Sequence, residues 1–372
     1  MPSIRSVATA LPPHILPQST ARRYAQHLFA PTMSHIDRYL PVFEHAQIEQ
    51  RHLVVPPEWF LGEHSFQESN DLFIREATAL GERVARDCLA AAGVDPVDVD
   101  HILWVSTTGI ATPSPDAMLI NRLGMRPHTR RTPLWGLGCA GGVAGLSRAY
   151  EYTRAFPQHR ALLLNVELCS ITFQKKDFST RNLVAASLFA DGATAVLVEG
   201  DHVSSRQLAG SRQQVPMSQT ANCPQPTAGL EILGTQSTIW PDTLNIMGWS
   251  VMNHGLEVVF STRIPGMVRA TMHDTVAAFL AQHDLVIDDI EHWILHPGGA
   301  KVVQAYEAAL AIDPERLAHT REVLRCYGNM SSATVFFVLE RFLAEQQPQP
   351  GEYGLLAVLG PGFSCELALI QG

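Results

Sequence analysis

The sequence predicts an α/β protein built from two related halves. Three observations carry that expectation. Helix-period stretches alternate with short buried-strand runs. A helix–acidic turn–strand segment recurs 191 positions along, with a second match at the same spacing. The chain's 372 residues also suit two fused lobes better than one ordinary single-core domain.

The first element is a helix near 71–92 (DLFIREATALGERVARDCLAAA). Phe73, Ala77, Leu80, Val84 and Cys88 recur at helical spacing, and Gly93 is a natural stop. The acidic turn DPVDVD follows, then HILWVS (101–106), a short apolar run that reads as a buried strand. The order repeats with VAAFLAQHD (276–284), IDDI and HWIL (292–295). Asp98-Val99-Asp100-His101-Ile102 lies over Asp289-Ile290-Glu291-His292-Trp293. At the same offset Gly138-Cys139-Ala140 falls opposite Asn329-Met330-Ser331, and both are turns entering a helix. One match is chance; two at one offset indicate an internal duplication. Between the halves, 203–228 is Ser/Gln/Pro-rich without periodicity and reads as a surface connection.

Composition narrows the function. Hydrophobic residues make up 46% and charged ones 17%, which excludes intrinsic disorder. No apolar run approaches the roughly 18–20 residues of a membrane span. The N-terminal stretch is broken by Pro12, Pro13 and Pro17 and has no apolar signal-peptide core. A net charge of −9 without a basic run argues against nucleic acid as a partner. Lysine occurs only at 175, 176 and 301. Cysteines 88, 139, 169, 223, 326 and 365 show no metal-binding spacing, so a cytoplasmic protein with reduced thiols and no metal is expected.

One thiol has a distinctive setting. In TPLWGLGCAGGVAGLSRAYEYTRAF (132–156) a strand end, a glycine-rich turn and a helix follow one another. Cys139 falls at the helix start, where free N–H groups and the helix dipole favour a thiolate and can hold an oxyanion. The alternative is a small residue packed where helix meets sheet. Cys88 and Cys365 sit on apolar faces and read as core. A cysteine nucleophile needs a base, usually histidine. Of sixteen histidines, His296 alone ends an apolar strand and precedes Pro297-Gly298-Gly299, a placement where α/β sites form. Asn329 occupies the turn that mirrors the cysteine turn. A capped strand end and a helix N-cap are the alternatives for these two.

WGLGCAGG, ILHPGG, YGNMSSATVFFVLE and LGPGFSCELAL resemble segments of type III polyketide synthases, the chalcone synthase-like branch of the thiolase superfamily. STTGIATPS (106–114) and ELCSITFQ (167–174) are most similar to bacterial alkylpyrone and alkylresorcinol synthases. The resemblance implies the thiolase fold, a duplicated αβαβα layering, with halves at 1–225 and 226–372. It implies that Cys139 takes a fatty acyl group from CoA and that His296 pairs with its thiolate. His296 and Asn329 would hold the malonyl-CoA carbonyl while carbon dioxide departs. The resulting enolate attacks the Cys139 thioester, and the extended chain closes to a pyrone or resorcinol. No cofactor beyond CoA thioesters is implied, and a homodimer is expected. The alternatives are a ketoacyl-ACP synthase III-like enzyme, or a type III synthase with a short or aromatic starter. HPGG and GNMSS favour the polyketide branch over the former.

Pocket residues follow from the same resemblance. Phe189 matches a gatekeeper phenylalanine, and Val258 stands where plant enzymes carry a second one, so the lost bulk is expected to admit a longer chain. Cys169 reads as pocket lining, Thr107 and Thr108 as polar cavity residues, and Ser331 as following the asparagine turn. Gly360-Pro361-Gly362-Phe363 resembles the cyclisation-pocket loop. The family's cluster of CoA-binding cations falls near AQIEQRHLVV, where here only Arg51 aligns with a cation. A CoA phosphate contact and a surface ion pair are its two readings.

Overall fold

The computed structural model describes residues 1–203 and 229–372. The expected 203–228 connection and the boundary at 225/226 therefore lie almost wholly outside the described residues. In the first half the elements are β1 (Ser3–Ala10), β2 (His14–Pro17), α1 (Gln18–Phe29), α2 (Val42–His45), β3 (Gln50–Leu53), α3 (Phe66–Ala92), β4 (His101–Val105), α4 (Pro115–Leu123), β5 (Arg130–Leu134), α5 (Gly141–Ala155), β6 (Arg160–Leu168), α6 (Thr180–Leu188) and β7 (Asp191–Glu199). The second half holds β8 (Leu230–Ile239), β9 (Met247–Met252), β10 (Gly255–Phe260), α7 (Ile264–Leu280), β11 (Ile290–Leu295), α8 (Ala300–Leu310), α9 (Ala318–Tyr327), α10 (Thr334–Glu345), β12 (Tyr353–Gly360) and β13 (Ser364–Gln371).

The long helix α3 starts five residues before its periodic stretch suggests. Ser65 and Glu68 form a capping box there: the Glu68 N–H donates to the Ser65 hydroxyl at 3.1 Å, and the Ser65 N–H donates to the Glu68 carboxylate at 2.7 Å. Gly93 ends it in the left-handed conformation at φ 67°.

The duplication is visible in the sheet order, β11-β12-β13-β8-β1-β7-β6-β4-β5. From the centre outward, β1-β7-β6-β4 pair antiparallel, antiparallel, then parallel. β8-β13-β12-β11 repeat that pattern. Among the described residues the two half-sheets pair at Ser3↔Glu231 and Ile4↔Leu230, beside an Ile232 N–H to Pro2 O bond of 2.9 Å.

Strand alternation divides the side chains into layers. Leu103 and Val105 of β4 turn inward with Val196 of β7 and Leu356 of β12, onto Val143 and Leu146 of α5 and Val335 and Leu339 of α10. Ile102 and Trp104 turn outward against Phe73, Val84 and Cys88 of α3. Trp293 and Leu295 of β11 face α7 and α8 through Val276 and Tyr306. The order is helix, sheet, helix, sheet, helix, which is the layered αβαβα fold. Helices α5 and α10 are shared by both halves, and the turns that carry Cys139 and Asn329 precede them. Among the described residues no helix is long and apolar enough to cross a membrane.

Candidate active site

Cys139 stands at the end of β5 in a short 3₁₀ turn, Gly138–Ala140, which feeds α5. Two glycines make that turn possible. Gly138 has φ 49°, and a Cβ there would meet Pro361 Cδ at 2.7 Å. A Cβ on Gly142 would lie 2.4 Å from the Ser332 carbonyl. The first approach brings in the 360–363 loop, and the second brings in the turn that carries Asn329.

The Asn329 amide is held from both ends. Its Oδ1 accepts from the Ser331 N–H at 2.8 Å, and its Nδ2 donates to the Gly298 carbonyl at 3.2 Å. A backbone N–H can only donate, so the amide orientation is fixed. The main chain is tied as well: the Asn329 N–H donates to Leu188 O at 2.9 Å, and the Ala190 N–H donates to Asn329 O at 2.8 Å. Asn329 therefore sits bridged to Phe189. Ser331 holds a left-handed φ of 50°. Its hydroxyl, and more weakly the Asn329 amide, act to lower the pKa of the Cys139 thiol.

His296 continues β11, donating its N–H to Ala357 O at 3.0 Å. The ring is only 2% exposed, and neither nitrogen has a protein partner. Burial pushes its pKa down to about 3. Burial also pushes the Cys139 thiol up to about 12; the Ser331 hydroxyl opposes this and the Glu167 charge adds to it. A lone charge on either group is therefore disfavoured near neutral pH.

Glu167 is the residue that sequence reasoning missed. It is fully buried at the end of β6. Its carboxylate accepts from the Thr107 N–H and hydroxyl at 3.0 Å each, the Thr108 hydroxyl at 3.1 Å and the Ser332 hydroxyl at 2.6 Å. Thr107 and Thr108, expected as cavity residues, are both turned onto this carboxylate, and Thr108 also lines a small cavity with Phe66, Ile171 and Leu256. A glutamate closing an apolar strand gave no local signal.

The expected pocket residues separate into two groups. Phe189, Val258 and Cys169 line one cavity, with Trp249, Phe29, Phe173 and Leu28 along its walls. It runs beneath α1. Burial first, and then the charges of Glu167, Asp191 and Cys139, push the Cys169 thiol well above its ordinary pKa. The space beside Phe189 is not simply vacated by the missing bulk at Val258. Residues two apart on a strand share a face, and Phe260 sets its ring edge-on to Phe189, 6.3 Å between centroids at 83°. Gly360 and Pro361 pack beside the cysteine turn and Gly362 lies against Ile239, but Phe363 is a correction. It is fully buried, stacks near Trp240 at 5.4 Å, and belongs to the outer core.

Arg51 is the second correction. It is 3% exposed, and its Nη1 donates to Ala186 O at 2.7 Å and to Phe189 O at 2.9 Å. Burial lowers its pKa to about 10, against the supporting charge of Asp191. It clasps the end of α6 and is not a surface cation for phosphate. Sequence shows charge but not depth.

Known proteins match this chain along its length. Residues 2–202 match the N-terminal domain, and 231–372 the C-terminal domain, of chalcone and stilbene synthases. A 1,3,6,8-tetrahydroxynaphthalene synthase of Streptomyces peucetius is 38% identical over 99% of this chain and 93% of its own. A 3,5-dihydroxyphenylacetyl-CoA synthase of Amycolatopsis orientalis is 32% identical, covering 89% and 84%. The crystal structure of the tetrahydroxynaphthalene synthase of Streptomyces coelicolor, a bacterial type III polyketide synthase, superposes with a TM-score of 0.89 at 27% identity, over 99% of both chains. With both domains matched and the layered fold in common, the chain belongs to the chalcone and stilbene synthase family of type III polyketide synthases, which are decarboxylative condensing acyltransferases.

Proposed function

We propose that this synthase extends a long-chain fatty acyl starter with malonyl units and closes the product to an alkylpyrone or alkylresorcinol. The observation that supports this reading is the cavity beneath α1. Its walls are mainly apolar, with Leu16, Ala25, Leu28, Phe29, Leu53 and Phe60, beside the polar groups of Tyr24, Arg51, Ser170, Thr172 and Asn182, a predominantly apolar lining that suits an alkyl tail.

In this reading Cys139 gives its proton to His296 and attacks the starter thioester; the CoA thiolate leaves and is protonated. The tail lies past Cys169 and Phe189. The malonyl-CoA carbonyl then takes hydrogen bonds from His296 and from the free Asn329 N–H. As carbon dioxide leaves, these donors hold the enolate oxygen, each worth about 3 kcal/mol of transition-state stabilisation. The enolate carbon attacks the Cys139 thioester, the C–S bond breaks to release the Cys139 thiolate, and the extended chain is left as its CoA thioester. The chemistry needs CoA thioesters alone, because side-chain donors hold the oxyanion. We also propose that the enzyme works as a homodimer, tested by sedimentation.

The test is mass spectrometry of products formed from malonyl-CoA with a panel of acyl-CoA starters. Alkylpyrones or alkylresorcinols from a C16 starter, at higher kcat/KM than from acetyl-CoA or an aromatic acyl-CoA, support the reading. Products from malonyl-CoA alone, with no incorporation of long starters, would reject it.

A further inference from the structure

The cavity beneath α1 has two ends of different construction. One wall is a single face of α6: Asn182, Ala185, Ala186 and the C-cap residue Phe189 recur at helical spacing, and all line it. From Asn182 to Phe189 that face advances about 10 Å, which sets the scale of the cavity's length. Phe189 is bridged to Asn329, so it marks the end towards the active site. At the other end the Asn182 amide donates to Gln174 O at 2.8 Å. Beside it, Phe173 lies edge-on to Phe60 at 5.6 Å and 6.4 Å from Phe29. These three rings line the cavity as well.

The outer end lies between α1 and the 3₁₀ turn Pro57–Leu61, which contribute Tyr24 and Phe60 to the lining. Elsewhere α1 is well anchored. The Gln18 amide donates to Phe43 O at 3.1 Å and to Ser187 O at 2.9 Å. Arg22 pairs with Glu44 at 3.6 Å, and Gln26 donates to Asp37 at 3.3 Å. Towards the 57–61 turn, the hydrogen bond among the described residues is that of the Tyr24 hydroxyl to the Glu58 carboxylate. It is 3.4 Å long and exposed, so little free energy holds it closed. The Tyr24 ring thus faces the cavity while its hydroxyl fastens the helix to the turn.

We propose that the Tyr24–Glu58 hydrogen bond is a latch on the outer end of the acyl cavity, and that it sets the longest starter used efficiently. The proposal rests on the reading that a fatty acyl tail occupies this cavity. With carbon–carbon bonds of about 1.5 Å, an extended sixteen-carbon chain reaches roughly 20 Å, well beyond the α6 wall. The end of such a tail meets Tyr24 and Phe60. A tail longer still must bend back within the cavity or part α1 from the turn, and parting them breaks the latch and wets the apolar lining. Selection by length then falls on Tyr24 and Glu58, far along the chain from the residues that carry out the condensation.

The test measures kcat/KM for saturated acyl-CoA starters from C8 to C20, with malonyl-CoA as extender, in the parent, Glu58→Ala and Tyr24→Ala. Glu58→Ala removes the acceptor from outside the cavity. It is expected to leave turnover of a C12 starter within about twofold of the parent and to raise the C20-to-C12 ratio about threefold. Tyr24→Ala removes the bond and the ring together, and should raise that ratio about tenfold or more. Length profiles that run parallel in the parent and both variants overturn the proposal, as does a uniform loss at every length in Glu58→Ala. A parent that incorporates no fatty starter overturns the substrate reading and this proposal together. Fatty starters incorporated with unchanged profiles overturn this proposal alone.

Discussion

The guanidinium of Arg51 and the backbone carbonyl of Phe189 are joined by a 2.9 Å hydrogen bond, so a buried cation holds the main chain beside the cavity beneath α1. The same Nη1 also takes Ala186 O at the end of α6. Arg51→Met leaves two carbonyls without their donor and the Asp191 carboxylate without its nearby positive charge. We expect a loss of about 3 kcal/mol of stability, read by urea unfolding. A variant as stable as the parent would show that the clasp is dispensable.

Rings rather than one residue narrow the cavity mouth. Phe189 has Phe260 edge-on and Trp249 at 6.5 Å, and Val258 pairs with Trp249 across the β9–β10 hairpin. Val258→Phe adds a third ring where the alkyl tail is to pass. It is expected to lower kcat/KM for a C16 starter about tenfold or more relative to a short one. Unchanged turnover of the C16 starter would count against the tail lying there.

Asn329 should divide loading from decarboxylation. Asn329→Ala removes the amide while leaving Cys139 and His296 in place. Release of carbon dioxide from malonyl-CoA is expected to fall about 10²-fold or more, while a covalent acyl adduct still forms from a fatty acyl-CoA. Cys139→Ala should abolish that adduct. Loss of loading in the asparagine variant would show that its role is not confined to the enolate.

One pH effect on stability arises away from the site. His101, at the start of β4, is buried against Arg130 and Tyr152, and its Nε2 lies 2.8 Å from the Thr132 hydroxyl. Burial first, and Arg130 second, lowers its pKa to about 4. The unfolded chain, with an ordinary value near 6.5, then binds the proton more tightly. The stability contributed by neutral His101 is complete above pH 6.5 and is lost as the pH falls towards 4. His101→Gln should flatten that slope by about 2 kcal/mol, measured by urea unfolding at a series of pH values. An unaltered slope would assign the acid sensitivity elsewhere.

The legible features were those whose cause is local. Glycines around Cys139 are visible because a turn that admits the Ser332 carbonyl cannot carry side chains. The 191-residue offset was readable because both turns lead into the shared central helices. What escaped was set by distant packing. Glu167 draws its donors from residues 60 and 165 positions away, and nothing in its own segment announces them. The cavity is closed by α1, whose side chains meet Phe173 only in the folded protein. Arg51 was misjudged for the same reason, since its carbonyl partners lie 135 and 138 residues on.

The position of the two turns also bears on how such an enzyme can arise. Cys139 precedes α5, and Asn329 precedes α10, at equivalent places in the repeat. In an ancestor of two identical chains, any change at one turn would have appeared at the other, forcing both to be nucleophiles or both to be amides. Joining the copies in one gene released that constraint. One turn could then carry a thiol and the other an amide, as Cys139 and Asn329 do here.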